Sequence, residues 1–383
     1  MARENLTGIN VVHAFNAEKY QNDKFDVPSK DMMNTQLKNQ RMFALMMPVM
    51  NIGMNGLTLA IYWLGAVLIQ QIALTAVQDR ITFFSNVVVF STYATYVVMS
   101  FMMLVMIFMM LPAAQVSAER INEVLERDVN IKEGSVSEGR EQGTVEFKNV
   151  SFRYPHASED ELSNISFKIN KGQTLAIIGA TGSGKTTLIS LIPRFYDATE
   201  GEVLVDGVNV KNYKLGYVTQ KAVLFAGSVR ENVFFGESAT PETDEELKNA
   251  IELSQAEEFV DKLPDGTEHM ISQMGRNVSG GQKQRLSIAR ALSRKPEILV
   301  FDDSFSALDY KTDAKLREGL NEKLGDTTKI IVAQRISTIR HADKIIVLDR
   351  GEAVGMGTHE ELMKNCDVYK EIALSQLSAA ELA

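Results

Sequence analysis

Two long stretches of this chain carry no charged side chain. Met42 to Gln78 runs for 37 residues and Ile81 to Ala118 for 38 without a Lys, Arg, Asp or Glu, and only Asp79 and Arg80 part them. About 20 apolar residues suffice to span the hydrocarbon core of a bilayer. At ~1.5 Å per residue either run makes a helix of about 55 Å against a core of ~30 Å, so its ends should protrude into water. The feature predicts a helical hairpin across a membrane, with spans at about 42–69 and 84–111. The competing reading, two buried helices in a large soluble core, is disfavoured because uncharged runs this long are rare there. Lys30, Lys38 and Arg41 before the first span match Arg120 and Arg127 after the second, which places both ends in the cytoplasm. Asp79 and Arg80 then mark the outer turn.

The rest of the sequence is soluble in character. Lys132 to Gln142, rich in Gly, Ser and Glu, reads as a linker, which divides the chain into residues 1–130, a linker at 131–143, and residues 144–383. In the last part short β-rich runs alternate with helical stretches: Thr144 to Val150, Ile165 to Ile169, Thr174 to Ile178, Ile298 to Phe301, Lys329 to Val332 and Lys344 to Leu348. That alternation is the pattern of an α/β domain with a largely parallel sheet. With 40 basic and 49 acidic residues the net charge is −9, and 45% of residues are hydrophobic, so neither a disordered chain nor charge-driven nucleic-acid binding is expected. A single cysteine, Cys366, excludes an internal disulfide framework and fits a reducing cytoplasm. Met1 to Asn34 has no apolar secretory segment.

Gly179-Ala-Thr-Gly-Ser-Gly-Lys-Thr186 follows the apolar run Thr174 to Ile178 and precedes the helical run Thr187 to Phe195. This is the G-x4-G-K-[ST] pattern in the strand, loop and helix context it requires. Small residues at Gly179, Thr181, Gly182, Ser183 and Gly184 let backbone N–H groups curl around phosphate oxygens at a helix N-terminus. Lys185 would reach the β- and γ-phosphates, and Thr186 would hold Mg²⁺. Thr187 opens the helix and belongs to the same nucleotide cradle. Ile298-Leu-Val-Phe-Asp302 is a buried strand ending in a carboxylate, suited to hold Mg²⁺ opposite such a loop. The pair specifies a nucleoside-triphosphate site.

Between them, Val278-Ser-Gly-Gly-Gln282 leads into the helical Lys283-Gln-Arg-Leu-Ser-Ile-Ala-Arg290. Two glycines opening a helix make a second anion site, which cannot lie beside the first loop unless the chain folds back or another copy supplies it. The run VSGGQKQRLSIARAL resembles the signature of ABC-type ATPases. With the phosphate loop, the carboxylate strand and the hairpin, the chain resembles an ABC exporter: part of a helical transmembrane domain followed by an α/β P-loop ATPase domain. The resemblance implies head-to-tail pairing of two ATPase domains. Each ATP is then held by the phosphate loop of one chain and the signature of the other, here Ser279, Gly280, Gly281 and Gln282.

Further roles follow from the resemblance alone. Tyr154, in Phe152-Arg-Tyr-Pro155, matches the aromatic that stacks on adenine. Gln220 matches the glutamine that touches Mg²⁺ and the attacking water, and Ser306-Ala-Leu-Asp309 matches the loop that communicates between ATP sites. Val12 to Asn22 resembles the cytoplasmic coupling helix, with Phe15 as the knob that docks on the partner's ATPase domain.

The sequence also departs from the family. Where hydrolytic members place a glutamate after the magnesium carboxylate, this chain has Asp303. Its carboxylate falls one methylene, roughly 1.5 Å, short, and a misplacement of ~1 Å can cost on the order of 100-fold in rate. Where the family carries a histidine on the γ-phosphate, this chain has Gln334, which can donate a hydrogen bond but carries no positive charge. The chain's own ATP site is therefore expected to bind ATP and hydrolyse it poorly. Its intact signature would serve a second half-transporter that brings the efficient glutamate and histidine. A family half-transporter has six spans and only two are found, so the sequence reads as a fragment or as a chain whose first four spans come from elsewhere. Val210-Lys-Asn-Tyr-Lys-Leu215 is also shorter than the usual connection to the glutamine strand.

Met42, Met46, Met50 and Met54 are expected to share one face of the first span, and Met99, Met102, Met103, Met106, Met109 and Met110, recurring at spacings of three and four, one face of the second. Such thioethers suit a surface that repacks around varied apolar substrates, or plain interhelical and lipid packing. Asn51, Asn55, Asn86, Tyr93 and Tyr96 add polar groups at membrane depth. The expected function is ATP-driven export of amphipathic small molecules across the cytoplasmic membrane by a multi-pass protein with its ATPase domain in the cytoplasm. ATP and Mg²⁺ are the cofactors, and a second half-transporter and the lipid bilayer the partners. An ATP-binding regulatory subunit with negligible hydrolysis and a homodimeric lipid or peptide exporter stand as alternatives. A soluble ABC-type ATPase acting on DNA or ribosomes is a third, which the uncharged runs oppose.

Overall fold

A computed structural model describes residues 2–127, 131, 142–208, 215–236 and 241–376. The chain forms two compact units, Met1–Asp128 and Val129–Ala383. Most of the expected linker and the short connection at 210–214 lie outside the described residues.

In the first unit the uncharged runs form the middles of two helices, Glu18–Gln70 and Val77–Leu125. At ~1.5 Å per residue each reaches about 75–80 Å, so both extend well past a bilayer core. The helices meet along a seam spaced three and four residues apart. Met46, Met50, Met54, Thr58, Ile61 and Gly65 line it on the first helix, and Phe83, Val87, Ser91, Thr95 and Met102 on the second. Small residues set the close approach: a Cβ on Gly65 would lie 2.8 Å from Val87 Cγ1. Seam hydroxyls are satisfied within their own helices, Thr58 Oγ1 donating to Met54 O and Thr95 Oγ1 to Ser91 O, each at 3.0 Å.

Outside the seam the surface is apolar and open, with Trp63 71%, Phe90 63% and Phe108 66% exposed. Only 6% and 0% of the most apolar window of each helix is buried, the opposite of a soluble core helix. The methionines do not keep to one face of each span as expected: Met46, Met50, Met54 and Met102 sit in the seam, Met42 and Met109 line one apolar pocket with Met46, and Met99, Met103, Met106 and Met110 are exposed. Asn51, Asn55, Asn86, Tyr93 and Tyr96 also face away from the partner helix.

Two expectations for this unit are corrected. The turn lies at Gln71–Ala76, and Asp79 and Arg80 fall inside the first turns of the second helix. Arg80 reaches back, its Nε and Nη2 donating to Ile72 O at 3.1 and 2.6 Å. The guanidinium thereby satisfies a carbonyl just past the end of the first helix, and Asp79 sits where the second helix dipole favours a negative charge. Val12 to Asn22 is not one helix either. A short helix, Ile9–Ala14, ends at Phe15, and the long helix starts at Glu18. Asn16 adopts φ 50°, while the N–H of Ala17 bonds Val12 O and that of Asn16 bonds His13 O. A left-handed Asn with this bond pair is a helix stop, so the chain must turn here.

The second unit contains eleven strands among its described residues: β1 (Val145–Phe152), β2 (Leu162–Ile169), β3 (Thr174–Gly179), β4 (Glu200–Val205), β5 (Leu215–Val218), β6 (Gly227–Ser228), β7 (Met270–Ile271), β8 (Ile298–Asp302), β9 (Thr328–Val332), β10 (Lys344–Asp349) and β11 (Glu352–Gly357). Six form one sheet in the order β11-β10-β3-β9-β8-β5, parallel except at the β10–β11 edge. Every residue of β8 and β9 is buried, as a central strand covered on both faces requires. The expected β runs Thr144 to Val150 and Ile165 to Ile169 do not join this sheet. They form β1 and β2 of a separate antiparallel sheet ordered β2-β1-β4. The burial of β2 alternates, which fits one packed and one solvated face.

Candidate functional site

Because β3, β9, β8 and β5 are adjacent and parallel, their C-terminal ends meet along one sheet edge. Each end carries a candidate residue: the phosphate loop after β3, Gln334 after β9, Asp302 and Asp303 at the end of β8, and Gln220 after β5. Ligands of open parallel sheets sit at this edge.

Gly179 ends β3 where a side chain has no room, since a Cβ there would overlap Leu348 O at 2.1 Å. The loop then turns through left-handed backbone at Gly182 (φ 81°) and Gly184 (φ 92°) into the helix Lys185–Ser190. Thr181 and Gly182 are exposed and Ser183 is buried. Lys185 folds back over the loop, its Nζ donating to Gly179 O at 2.9 Å and Ala180 O at 2.6 Å. Burial pushes its pKa down, while Asp303 and then Asp302 pull it up. An ammonium held against carbonyls is poised to exchange them for phosphate oxygens.

Thr186 Oγ1 donates to Asp302 Oδ1 at 3.0 Å. Asp302 is 4% exposed, and burial raises its pKa, with the charge of Asp303 adding to the rise and the Thr186 bond and Lys185 opposing it. A buried carboxylate, a hydroxyl and a second carboxylate form a hard, anionic donor set. No group of three or more His, Cys, Asp or Glu that could hold a metal by themselves exists among the described residues. This set suits a cation such as Mg²⁺ that shares its ligands with phosphate and water rather than one caged by protein.

Asp303 is 6% exposed and in left-handed backbone, φ 46°. Two amides converge on one of its oxygens: Gln334 Nε2 donates to Oδ2 at 2.7 Å and Gln220 Nε2 at 3.2 Å. The three residues named from sequence for the water-activating step are thus one hydrogen-bonded cluster. Both donors are neutral. The Gln220 segment is fixed in turn, Gln284 Nε2 donating to Thr219 O at 3.3 Å and Ser304 Oγ to Val218 O at 3.0 Å.

The Tyr154 hydroxyl lies 3.0 Å from Thr187 Oγ1, and its ring meets Phe152 and Tyr196 edge-on at 4.9 and 5.3 Å. This places a half-buried aromatic beside the phosphate-loop helix.

The signature residues lie apart. Ser279 caps the helix Gly280–Ser293, its Oγ accepting from Gln282 N at 3.4 Å while Gln282 Oε1 accepts from Ser279 N at 2.8 Å. Ser279 and Gly280 are exposed, and no hydrogen bond among the described residues joins this segment to the phosphate loop. Instead the segment Ser306-Ala-Leu-Asp309 is its neighbour, with Ala307 O at 3.4 Å from where a Gly281 Cβ would sit. Asp309 caps the following helix through Thr312 N at 3.0 Å.

Sequence reasoning missed one contact at the site. Gln376, on the helix Asp367–Gln376, bonds the backbone on both sides of Arg335. A lone glutamine 40 and 42 residues from its partners gives no pattern to read.

Comparison with known proteins agrees with this geometry. Residues 162–306 match the ABC transporter family and residues 1–101 the ABC transporter transmembrane region. The chain is 40% identical over 389 residues to an uncharacterized ABC transporter ATP-binding protein of Mycobacterium tuberculosis, covering 99% of this chain and 65% of that one. It is also 40% identical over 248 residues to a Bacillus subtilis protein provisionally named as a multidrug export ATP-binding/permease protein, covering 63% and 42%. A bacterial Atm1-family ABC exporter solved with ATP bound superposes with a TM-score of 0.80 at 26% identity, covering 98% of this chain and 66% of that one. The chain thus spans about 65% of the length of this M. tuberculosis relative. With a transmembrane hairpin, a phosphate loop, a carboxylate strand and a signature helix in one polypeptide, the chain belongs to the ABC transporter family.

Proposed function

We propose that this chain is one half of an ATP-driven exporter of amphipathic small molecules in the cytoplasmic membrane, with its ATPase domain in the cytoplasm. Its own phosphate-loop site binds ATP and turns it over slowly. The observation that carries this reading is the Asp303 cluster, a short carboxylate held by two neutral amides where efficient relatives would have a longer acid and an imidazole.

Lys185, Thr186 and the amides of Thr181 to Gly184 hold the phosphates, Tyr154 and Thr187 border the base, and Ser279 to Gln282 complete the ATP site of a partner half-transporter. Thr186, Asp302 and Gln220 would hold Mg²⁺, which supplies charge neutralisation at the β- and γ-phosphates. Asp303 orients water from a position one methylene short, and Gln334 donates a hydrogen bond where a cation would have offset charge. The helix Ile9–Ala14, followed by the 78% exposed Phe15, is the coupling element of the membrane part. An amphipathic cargo is supported by spans without charge and by the multidrug-export name of the B. subtilis relative.

The test is vanadate trapping of a photoreactive ATP analogue in the assembled pair. Label in the partner's phosphate loop and little at Lys185 is expected. Equal labelling of both loops would sink the asymmetric reading, and labelling confined to Lys185 would reverse it.

A further inference from the structure

We propose that Gln376 is a positioning residue for the slow site: its side-chain amide clamps the loop that carries Gln334 and so holds Gln334 against Asp303. This rests on the reading of Asp303 and Gln334 above.

The loop after β9 is held from Ile336 onward by Arg317, whose Nη1 donates to Ser337 O at 3.1 Å, and by the buried Ile336 and Ile339, but the Gln334 carbonyl and the Ile336 N–H need another partner. Ala333 N still bonds Ile177 O at 3.2 Å, extending the sheet by one residue. The short helix Ile336–Ile339 then begins at Arg335, which offers no side-chain cap. The first helical N–H, that of Ile336, would lack a partner, as would the carbonyl of Gln334. Gln376 supplies both: its Oε1 accepts from Ile336 N at 2.9 Å, and its Nε2 donates to Gln334 O at 2.7 Å. A primary amide is the one side-chain group that donates and accepts side by side, so it spans Arg335 as a neighbouring strand would.

The clamp is anchored. On the helix Asp367–Gln376, Tyr369 and Ala373 are 0% exposed, and Gln376 follows them at spacings of four and three on the same face. Tyr369 is further held by a 2.7 Å bond between its hydroxyl and His359 Nδ1. The result is a continuous relay, from the buried face of that helix through the Gln376 amide and the Gln334 backbone to the 2.7 Å bond on Asp303. Gln376, Gln334, Asp303, Ser306 and Thr338 line one cavity of about 450 Å³, so the clamp shares a wall with Asp303 and Gln334.

Two measurements on the full chain in lipid nanodiscs test this. The first is backbone hydrogen exchange at Ile336. Gln376→Ala should speed it at least about tenfold through loss of the acceptor, whereas Gln376→Glu, which keeps an acceptor, should preserve protection. Unchanged exchange in Gln376→Ala would overturn the clamp. The second is single-turnover hydrolysis of radiolabelled ATP. Gln376→Ala and Gln376→Glu should each slow the chemical step by about tenfold with little change in ATP affinity, because both lose the donor to Gln334. In a Gln334→Ala background the same changes should cost nothing further. A loss that persists there, or one seen only in affinity, would overturn the positioning role. If Gln334→Ala itself leaves turnover unchanged while Ile336 exchange still responds to Gln376→Ala, the reading of the site has failed and the positioning role falls with it, although the clamp stands.

Discussion

The ATPase domain presents two candidate anion-binding helix ends built in different ways. Around Lys185 the side chains interlock over two buried carboxylates, with Lys185 on loop carbonyls, Thr186 on Asp302, and Gln220 and Gln334 on Asp303. Around Ser279 the segment is exposed and closed on itself by its capping box. The first end carries the two residues that differ from the efficient pattern, while the second carries every residue the pattern asks for. The contrast is what the division of labour proposed above between two chains would require.

The largest expected effect separates the two ends directly. Lys185→Ala should weaken ATP binding to this chain by about 100-fold, since a charge-assisted phosphate contact and its preorganised geometry are both lost. The partner's hydrolysis should retain its dependence on the signature, and equilibrium binding with turnover of the assembled pair reads both. Gly280→Asp should act the other way. A Cβ at Gly280 meets nothing within 4 Å, so the fold tolerates it, while in the proposed pair the added charge would face the partner's nucleotide. This chain's own ATP affinity should stay within about twofold while the partner's hydrolysis falls at least about tenfold. Equal losses at both sites would erase the comparison.

A smaller effect sharpens the electrostatics. Burial raises the pKa of Asp302 in the ligand-free domain, so its ionised form costs stability at neutral pH. That cost is absent below the ordinary carboxylate value and sets in as pH rises through the raised one. Asp302→Asn should therefore raise the Tm of the ligand-free chain at pH 7 by about 2 °C and flatten the fall in stability as pH rises through this window. The same variant should lose the stabilisation that Mg²⁺ adds to bound ATP, which calorimetry with and without chelator checks.

Much of this organisation was legible because it rests on patterns with a physical period or a fixed spacing. The uncharged runs announced the hairpin, and strand, glycine loop and helix announced the phosphate site. Failures came where a single side chain overrode a pattern. The charged pair Asp79 and Arg80 looked like a turn, but Arg80 is the cap that lets the turn sit earlier. The left-handed Asn16 splits what reads as one amphipathic helix. Strands β1 and β2 have the composition of any strand, and only their pairing with β4 shows that they leave the main sheet. Asp303 and Gln334 could be named from their motifs, whereas their bond to one another depends on β8 and β9 lying side by side.

The central claim is that Asp303 and Gln334 together make this chain's own site slow. It is tested most directly by ATP turnover and equilibrium ATP binding on the purified chain, with and without the pair Asp303→Glu and Gln334→His. In a homodimer each site joins this phosphate loop to an intact signature, so only the two substitutions are on trial. The account predicts tight binding with slow turnover in the unaltered chain, and a gain on the order of 100-fold in turnover with the pair in place. Brisk turnover by the unaltered chain, or no gain from the pair, would contradict it.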